Sequence, residues 1–459
     1  MTSHLIDSDI FKDLFGTAAM REIFSDASLI ERWLIVEAAL ARAEAKTGLI
    51  PAAAAEEISR QATVASIDIE RLKSDTELVG YPIVSIVRQL SAACTNEAGA
   101  YVHWGATTQD IMDTAVVLQI RDALIVLERG IRALRDTLVG LAVRHRGTLM
   151  AGRTHGQQAL PITFGFKAAV WLAEVHRHIQ RLEEIRTRAL VGQLGGAVGT
   201  LASLGELGLE VQSAFMAELG LGQPAIAWHV SRDVFAEITA FLGMISATLG
   251  KIGTEIALLM KTETAEVSEP FVEGRGSSST MPQKRNPISC EVIVAVAKIV
   301  RQHVPLALDA MVQDHERSTG PWQVEWEFLP EAFILTDGAL QQCCTMLAGL
   351  EVHPDRMRQN LDQTDGLISA EAVMMALARS TGRQQAHEVV YRACRRATMT
   401  GSPLVTVMQD MPEITQHVRA TEIQDLLDPA RYLGSARAFV DRVVAQVRGD
   451  TKDDGVAAP

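Results

Sequence analysis

The 459-residue sequence predicts an all-α protein of three domains built around a central bundle of long helices. Three observations carry that expectation. Val117, Ile120, Leu124, Leu127, Ile131, Leu134, Leu138 and Leu141 recur three and four residues apart, a heptad-like stripe on one helix face. Aromatic residues make up 5% of a chain that is 47% hydrophobic, a balance in which Ala, Leu, Val and Ile pack helix on helix. Runs of alternating apolar and polar residues are missing, apart from a short ribbon expected near residues 194–204.

Taken in order, residues 1–105 form an N-terminal helical domain. Its first segment, Met1 to Phe11, contains Asp7 and Asp9 and no apolar core preceded by basic residues, so no signal peptide is expected there. Gly99 to Gly105 and Glu351 to Pro354 are the boundaries of the central bundle, 106–353. After the heptad helix, a second helix is expected from Ile162 to Leu190. A third runs from Val234 to Lys261, where Phe241, Ile245, Leu249, Ile252 and Ile256 keep helical spacing. The fourth starts at Pro287 and carries Pro305, which should kink it. Helices this long cannot bury an apolar stripe on both sides within one small domain, so partner subunits are expected. Residues 354–448 form a C-terminal helical domain, and 449–459 a disordered tail rich in Gly, Asp, Lys and Ala.

Composition narrows the function classes. A net charge of -13 with no basic block argues against nucleic acid, and apolar runs are broken by charge or Gly before reaching membrane-spanning length. Cys94, Cys290, Cys343, Cys344 and Cys394 are odd in number and form no Cys-x-x-Cys pair, which fits a reducing, cytoplasmic compartment. No cluster has the ligand spacing of a metal or cofactor site, and none is expected.

The chemistry points to the loop 274–287, which joins two helical patterns without a hydrophobic period of its own; a long structureless connection is usually functional or disordered. Asn286 is placed to N-cap the following helix and Pro287 to start it, which would leave free N–H groups and the positive helix end for an anion. Lys284 adds a full charge, and Ser278 or Ser279 offers a hydroxyl for a general base. The plain alternative is a Ser/Gly linker. Two further polar stretches precede helices: Gly105 to Asp110, with Thr108 or Asp110 as the helix cap, a role compatible with binding a carboxylate at the helix N-terminus, and Arg153 to Gln157, where His155 reads as a turn residue or a catalyst. His315-Glu316-Arg317 lacks the second His of a zinc motif, and the Arg317 guanidinium suits a planar carboxylate.

Ser278, Ser279, Met281, Pro282, Lys284, Asn286 and Pro287 resemble the signature loop of the fumarase/aspartase superfamily, with Ser277 standing at that pattern's Gly. The resemblance covers nearly the whole chain. It implies an all-α fold, a homotetramer joined through the central bundle, and active sites drawing on several subunits. It implies removal of a proton next to a carboxylate, with Ser278 as base, Lys284 and Asn286 supporting a dianionic aci-carboxylate, and Ser279 and Met281 lining the substrate. Thr154, His155 and Gln157 match the Thr-His-x-Gln element of adenylosuccinate and argininosuccinate lyases, in which the His moves a proton; Arg153 is placed with them at the substrate. Thr107, Thr108 and Asp110 match the family's first carboxylate-binding element, with Arg317 as a second binder. Gln158 to Gly165, Glu316 to Pro330 and Leu427 to Gly434 are similar to the bacterial 3-carboxy-cis,cis-muconate cycloisomerases, which carry a Trp and an aliphatic residue where this chain has His155 and Gly156. The leading expectation is therefore a cycloisomerase of that kind. A C–N lyase or epimerase of N-substituted aspartates such as iminodisuccinate comes second. Adenylosuccinate lyase, for which an extra His near Gly80 is missing, comes third, and a non-catalytic tetramer is the alternative of a different class.

Overall fold

The computed structural model describes residues 4–453 and is helical throughout most of that length. Its long helices are α1 (Asp26–Lys46), α2 (Thr108–Arg144), α3 (Phe164–Ala189), α4 (Asp233–Leu259), α5 (Ile288–Ala310) and α6 (Pro321–Ala348). α1 starts where Ser25 Oγ accepts the Ser28 N–H at 3.2 Å, a serine cap. On α2 the eight residues of the heptad-like stripe are all buried. Pro305 lies inside α5, which continues to Ala310.

The chain folds into two compact units, each assembled from separate stretches of sequence. One comprises Met1–Arg132, His178–Gly250 and Val292–Gln342, the other Ala133–Arg177, Lys251–Glu291 and Cys343–Pro459. Helices α2 to α6 each give a segment to either unit. In the second unit, Val373, Leu377, Val389, Ala393, Leu404 and Ile414 belong to one apolar cluster among the C-terminal helices. The last helix, Ala436–Asp453, runs beyond residue 449; the part of the expected tail after Asp453 lies outside the described residues.

Three expectations need correction. The ribbon near 194–204 is not a strand pair: the stretch is loop followed by a 3-10 helix, Ala202–Leu207. The strands sit earlier, where β1 (Leu149–Thr154) pairs antiparallel with β2 (Gln157–Thr163) through a two-residue turn of His155 and Gly156. Both turn residues have positive φ, 51° and 76°, as a right-twisted hairpin's two-residue turn requires. A register shift at Gly152 and Arg153 and a proline inside β2 disguise the period of two. Finally, among the described residues α4 is long and apolar enough to cross a membrane by length and composition. Its Ile238, Phe241, Leu242, Ile245 and Leu249 are buried within the first unit, so its apolarity serves a protein core.

Helix α1 carries one costly group. Glu44 is fully buried, neither carboxylate oxygen has a hydrogen-bond partner, and burial, then the nearby Glu37 charge, push its pKa up to about 9. A folded-state value above the unfolded one adds stability at low pH and loses it as pH climbs toward 9. Glu44→Gln is therefore expected to flatten the fall in melting temperature between about pH 5 and 9. Parallel pH profiles of the two proteins would count against a protonated Glu44.

Candidate active site

The motif residues fall into three groups. In the first unit, the α2 start is organised by Asp110, which is completely buried. Its carboxylate accepts the backbone N–H groups of Thr107 (3.0 Å), Gly195 (2.9 Å) and Gly196 (2.9 Å), and stands 2.8 Å from His229 Nε2. The sequence suggested a substrate binder here; the oxygens of Asp110 are engaged away from solvent, and it anchors the Gly195–Gly196 loop to the α2 N-terminus. Thr107 and Thr108 remain half-buried beside it. Arg317 Nη1 donates to Gln109 Oε1 at 2.9 Å and Nη2 to the Ala197 carbonyl at 3.0 Å, while Gln109 Nε2 donates to the His229 carbonyl. The fold thus brings Thr107, Thr108 and Arg317 around one rim, held from behind by Asp110 and His229.

In the second unit, the β1–β2 hairpin presents Thr154, His155 and Gln157 at its tip, and His155 and Gln157 are exposed. Arg153 is placed differently from expectation. Both its Nη atoms donate to Glu266, at 2.9 and 2.6 Å, and that carboxylate is fully buried and also takes the Asn360 amide at 2.8 Å. A fork spent on an internal carboxylate is a brace for the hairpin rather than a substrate clamp.

The third group is the signature loop, also in the second unit. A bridge pairs Ser277 with Arg285, and Asn286 N–H donates to the Gly276 carbonyl at 2.9 Å. Positive φ falls on Gly276 (71°), where a Cβ would sit 2.6 Å from the Asn286 carbonyl oxygen; Ser277, at the family's Gly position, has no positive φ to accommodate. Ser278 Oγ accepts N–H groups from Met281 (3.1 Å) and Thr280 (3.3 Å). Ser279, Met281 and Lys284 are exposed and Asn286 half-buried. Among the described residues no hydrogen bond joins His155 or Gln157 to this loop.

The anion expected at the α5 N-terminus turns out to be internal. Glu269, 4% exposed, accepts from Ser289 N (3.2 Å) and Cys290 N (2.9 Å), so these helix-end donors hold a protein carboxylate, not substrate. Sequence reasoning missed Glu266, Glu269 and His229, whose roles come from burial and long-range pairing. A cavity of about 500 Å³ in the first unit, walled by Trp33, Trp322 and Trp326, includes none of the candidate catalytic or substrate-binding residues, although Trp322, Glu325, Trp326, Leu329 and Pro330 belong to the stretch that resembles the cycloisomerases.

Comparison with known proteins gives the chain's family. A family model described as lyase matches residues 15–301, and one described as adenylosuccinate lyase C-terminus matches 366–443. The crystal structure of fumarate lyase from Mesorhizobium sp. BNC1 superposes with a TM-score of 0.89 at 52% identity, covering 94% of this chain and 98% of that one. The chain is 48% identical to trans-aconitate decarboxylase 1 of Mycosarcoma maydis, over 95% of this chain and 88% of the relative. It is 46% identical to 3-carboxy-cis,cis-muconate cycloisomerase of Pseudomonas aeruginosa, over 96% of both. The chain belongs to the fumarase/aspartase superfamily of lyases, and it is an enzyme of that superfamily.

Proposed function

We propose that the enzyme acts on a small unsaturated tricarboxylate and that its reaction is the cycloisomerisation of 3-carboxy-cis,cis-muconate. The observation that carries this reading is the 46% identity to a cycloisomerase across 96% of both chains. Trans-aconitate, the compound in the name of the 48% identical relative, is likewise an unsaturated tricarboxylate. In cycloisomerisation a carboxylate oxygen bonds to one alkene carbon, and a proton is delivered to the other, next to a carboxylate; in reverse that proton is removed. Ser278 moves it. Two N–H donors orient its Oγ, and Lys284 and Asn286 steady the negative charge that develops on the substrate. Thr107, Thr108 and Arg317 hold the outer carboxylates.

The chain order 1–105, 106–353 and 354–448 is read as three domains of a homotetramer, in which several subunits complete each site. Five cysteines, with no disulfide among the described residues, support a reducing compartment, the cytoplasm.

His155 favours a second reading. A protonatable ring at the hairpin tip, where the cycloisomerases carry an indole, suits delivery of a proton to a leaving nitrogen or to the opposite face of a carbanion. Purified enzyme is to be incubated with 3-carboxymuconate, trans-aconitate and iminodisuccinate, following ultraviolet absorbance, CO2 release and product chirality. Lactone formation by both the wild type and His155→Trp is the expected result. Absence of lactone, with an iminodisuccinate activity that vanishes in His155→Trp, would replace the first reading by the second, and CO2 release from trans-aconitate without lactone would replace it by decarboxylation.

A further inference from the structure

One group of side chains outside the candidate catalytic and substrate-binding residues has the composition of a metal site. Glu327 and Glu331 lie one turn apart on α6, so both carboxylates leave the same helix face. Between them stands His4, from the segment before the 3-10 helix Leu5–Asp7: its Nε2 is 3.3 Å from Glu327 Oε1 and its Nδ1 3.6 Å from Glu331 Oε1. Taking one ligand atom from each of the three residues, all lie within 4.8 Å of one another. His303, on α5, reaches the other oxygen of Glu331, with Nε2 at 3.4 Å from Oε2. It is 9% exposed, and its Nδ1 is buried without a partner.

The contacts at His4 are longer than the chain's direct His–carboxylate hydrogen bonds. Elsewhere in the chain, His–carboxylate contacts close to 2.7 Å (His103–Glu37) and 2.8 Å (His176–Asp450 and His229–Asp110), which are direct hydrogen bonds. At His4 they stop at 3.3 and 3.6 Å. One ring nitrogen serves a given ion, so the ligand set is one His4 nitrogen with one oxygen from each glutamate, atoms that lie within 4.8 Å of one another and would draw in to about 3.3–3.4 Å around a tetrahedral zinc ion. Charge agrees: among the described residues, Glu327 and Glu331 form ion pairs with His4 and His303 and with no lysine or arginine.

We infer that His4, Glu327 and Glu331 bind a divalent cation, zinc by their one-nitrogen, two-oxygen donor set, with His303 orienting Glu331 from its far oxygen. The ion fastens the N-terminal segment to α6 and leaves a coordination position for water. The role is structural: none of the four residues belongs to the motifs assigned to catalysis, so the inference stands apart from the proposed reaction.

Untagged full-length protein, stripped with a chelator and dialysed, is to be titrated calorimetrically with zinc chloride, and its melting temperature followed with and without the metal. One zinc per chain is expected, with a rise in melting temperature. Glu327→Gln, at an exposed position where folding is not at stake, should weaken binding at least about tenfold, and His303→Gln about ten- to a hundredfold. The melting shift should disappear in His4→Ala, while turnover is unchanged in all three variants. No zinc uptake by the wild type overturns the inference, and so does uptake of equal strength in Glu327→Gln and His4→Ala, which would place the metal elsewhere.

Discussion

Replacing Ser278 by Ala is expected to lower kcat by at least about a thousandfold while leaving the circular dichroism spectrum and oligomeric state unchanged. The magnitude follows from what the hydroxyl supplies: a positioned proton-transfer group is worth about a hundred- to ten-thousandfold, and its loss also uncouples the charge-stabilising groups that act with it. The fold should tolerate the change because Ser278 sits in a loop whose closure is made by backbone bonds, from Asn286 N–H to the Gly276 carbonyl and from Lys284 N–H to the Met281 carbonyl. What Ala removes are the acceptor contacts to Thr280 and Met281 N–H, which orient Oγ. Single-turnover measurements with 3-carboxymuconate separate proton transfer from binding. Near-normal kcat would reject Ser278 as the proton-transfer group and turn attention to Ser279, the exposed neighbour.

How much of this was legible in the sequence depended on whether a feature is local. The α2 stripe could be read because one helix face repeats every three to four residues, and all eight of its apolar positions are buried. α4 and α5 began within a residue of expectation, where Asp233 and Pro287 mark the change of pattern. The β1–β2 hairpin was hidden: its period is interrupted at Gly152 and Arg153, and its turn is His155-Gly156 rather than the usual Asn-Gly. In the site, residue type was legible and burial was not. Asp110 and Arg153 have the chemistry of substrate binders, but His229 with Gly195 and Gly196 claims the one, and Glu266 the other. The partner in each case comes from more than 80 residues away in sequence, as with 85 for Asp110–Gly195 and 113 for Arg153–Glu266. No periodic or spacing signal reports such pairs.

The largest expected loss of stability comes from Arg232→Met. Arg232, 1% exposed at the side chain, sits between Asp113 and Glu325, themselves 2% and 4% exposed. Its Nη1 and Nη2 donate to Asp113 at 2.7 and 3.0 Å and its Nε to Glu325 at 2.9 Å, with the guanidinium over the Phe235 ring at 4.6 Å. A methionine fills similar volume but strands two carboxylates in the core, and breaking a buried pair from one side typically costs about 3–5 kcal/mol. Burial already outweighs the arginine at Glu325, pushing its pKa up to about 7. That folded-state value is above the unfolded one, so the group's contribution is full at acid pH and fades as pH rises through 7. Without Arg232 the carboxyl should climb further, and the defect of Arg232→Met should therefore shrink below about pH 6 and widen toward pH 8. Asp113 follows Asp110 on α2 by one turn, so loosening this cluster should also disturb the Thr107–Asp110 cap and lower activity at temperatures where the variant remains folded. Urea unfolding from pH 5.5 to 8 measures the effect. The added changes Asp113→Asn and Glu325→Gln should restore most of the loss, since they remove the stranded charges. An Arg232→Met protein within about 1 kcal/mol of wild type at pH 8, the range of an exposed pair, would mean that the two carboxylates do not depend on Arg232.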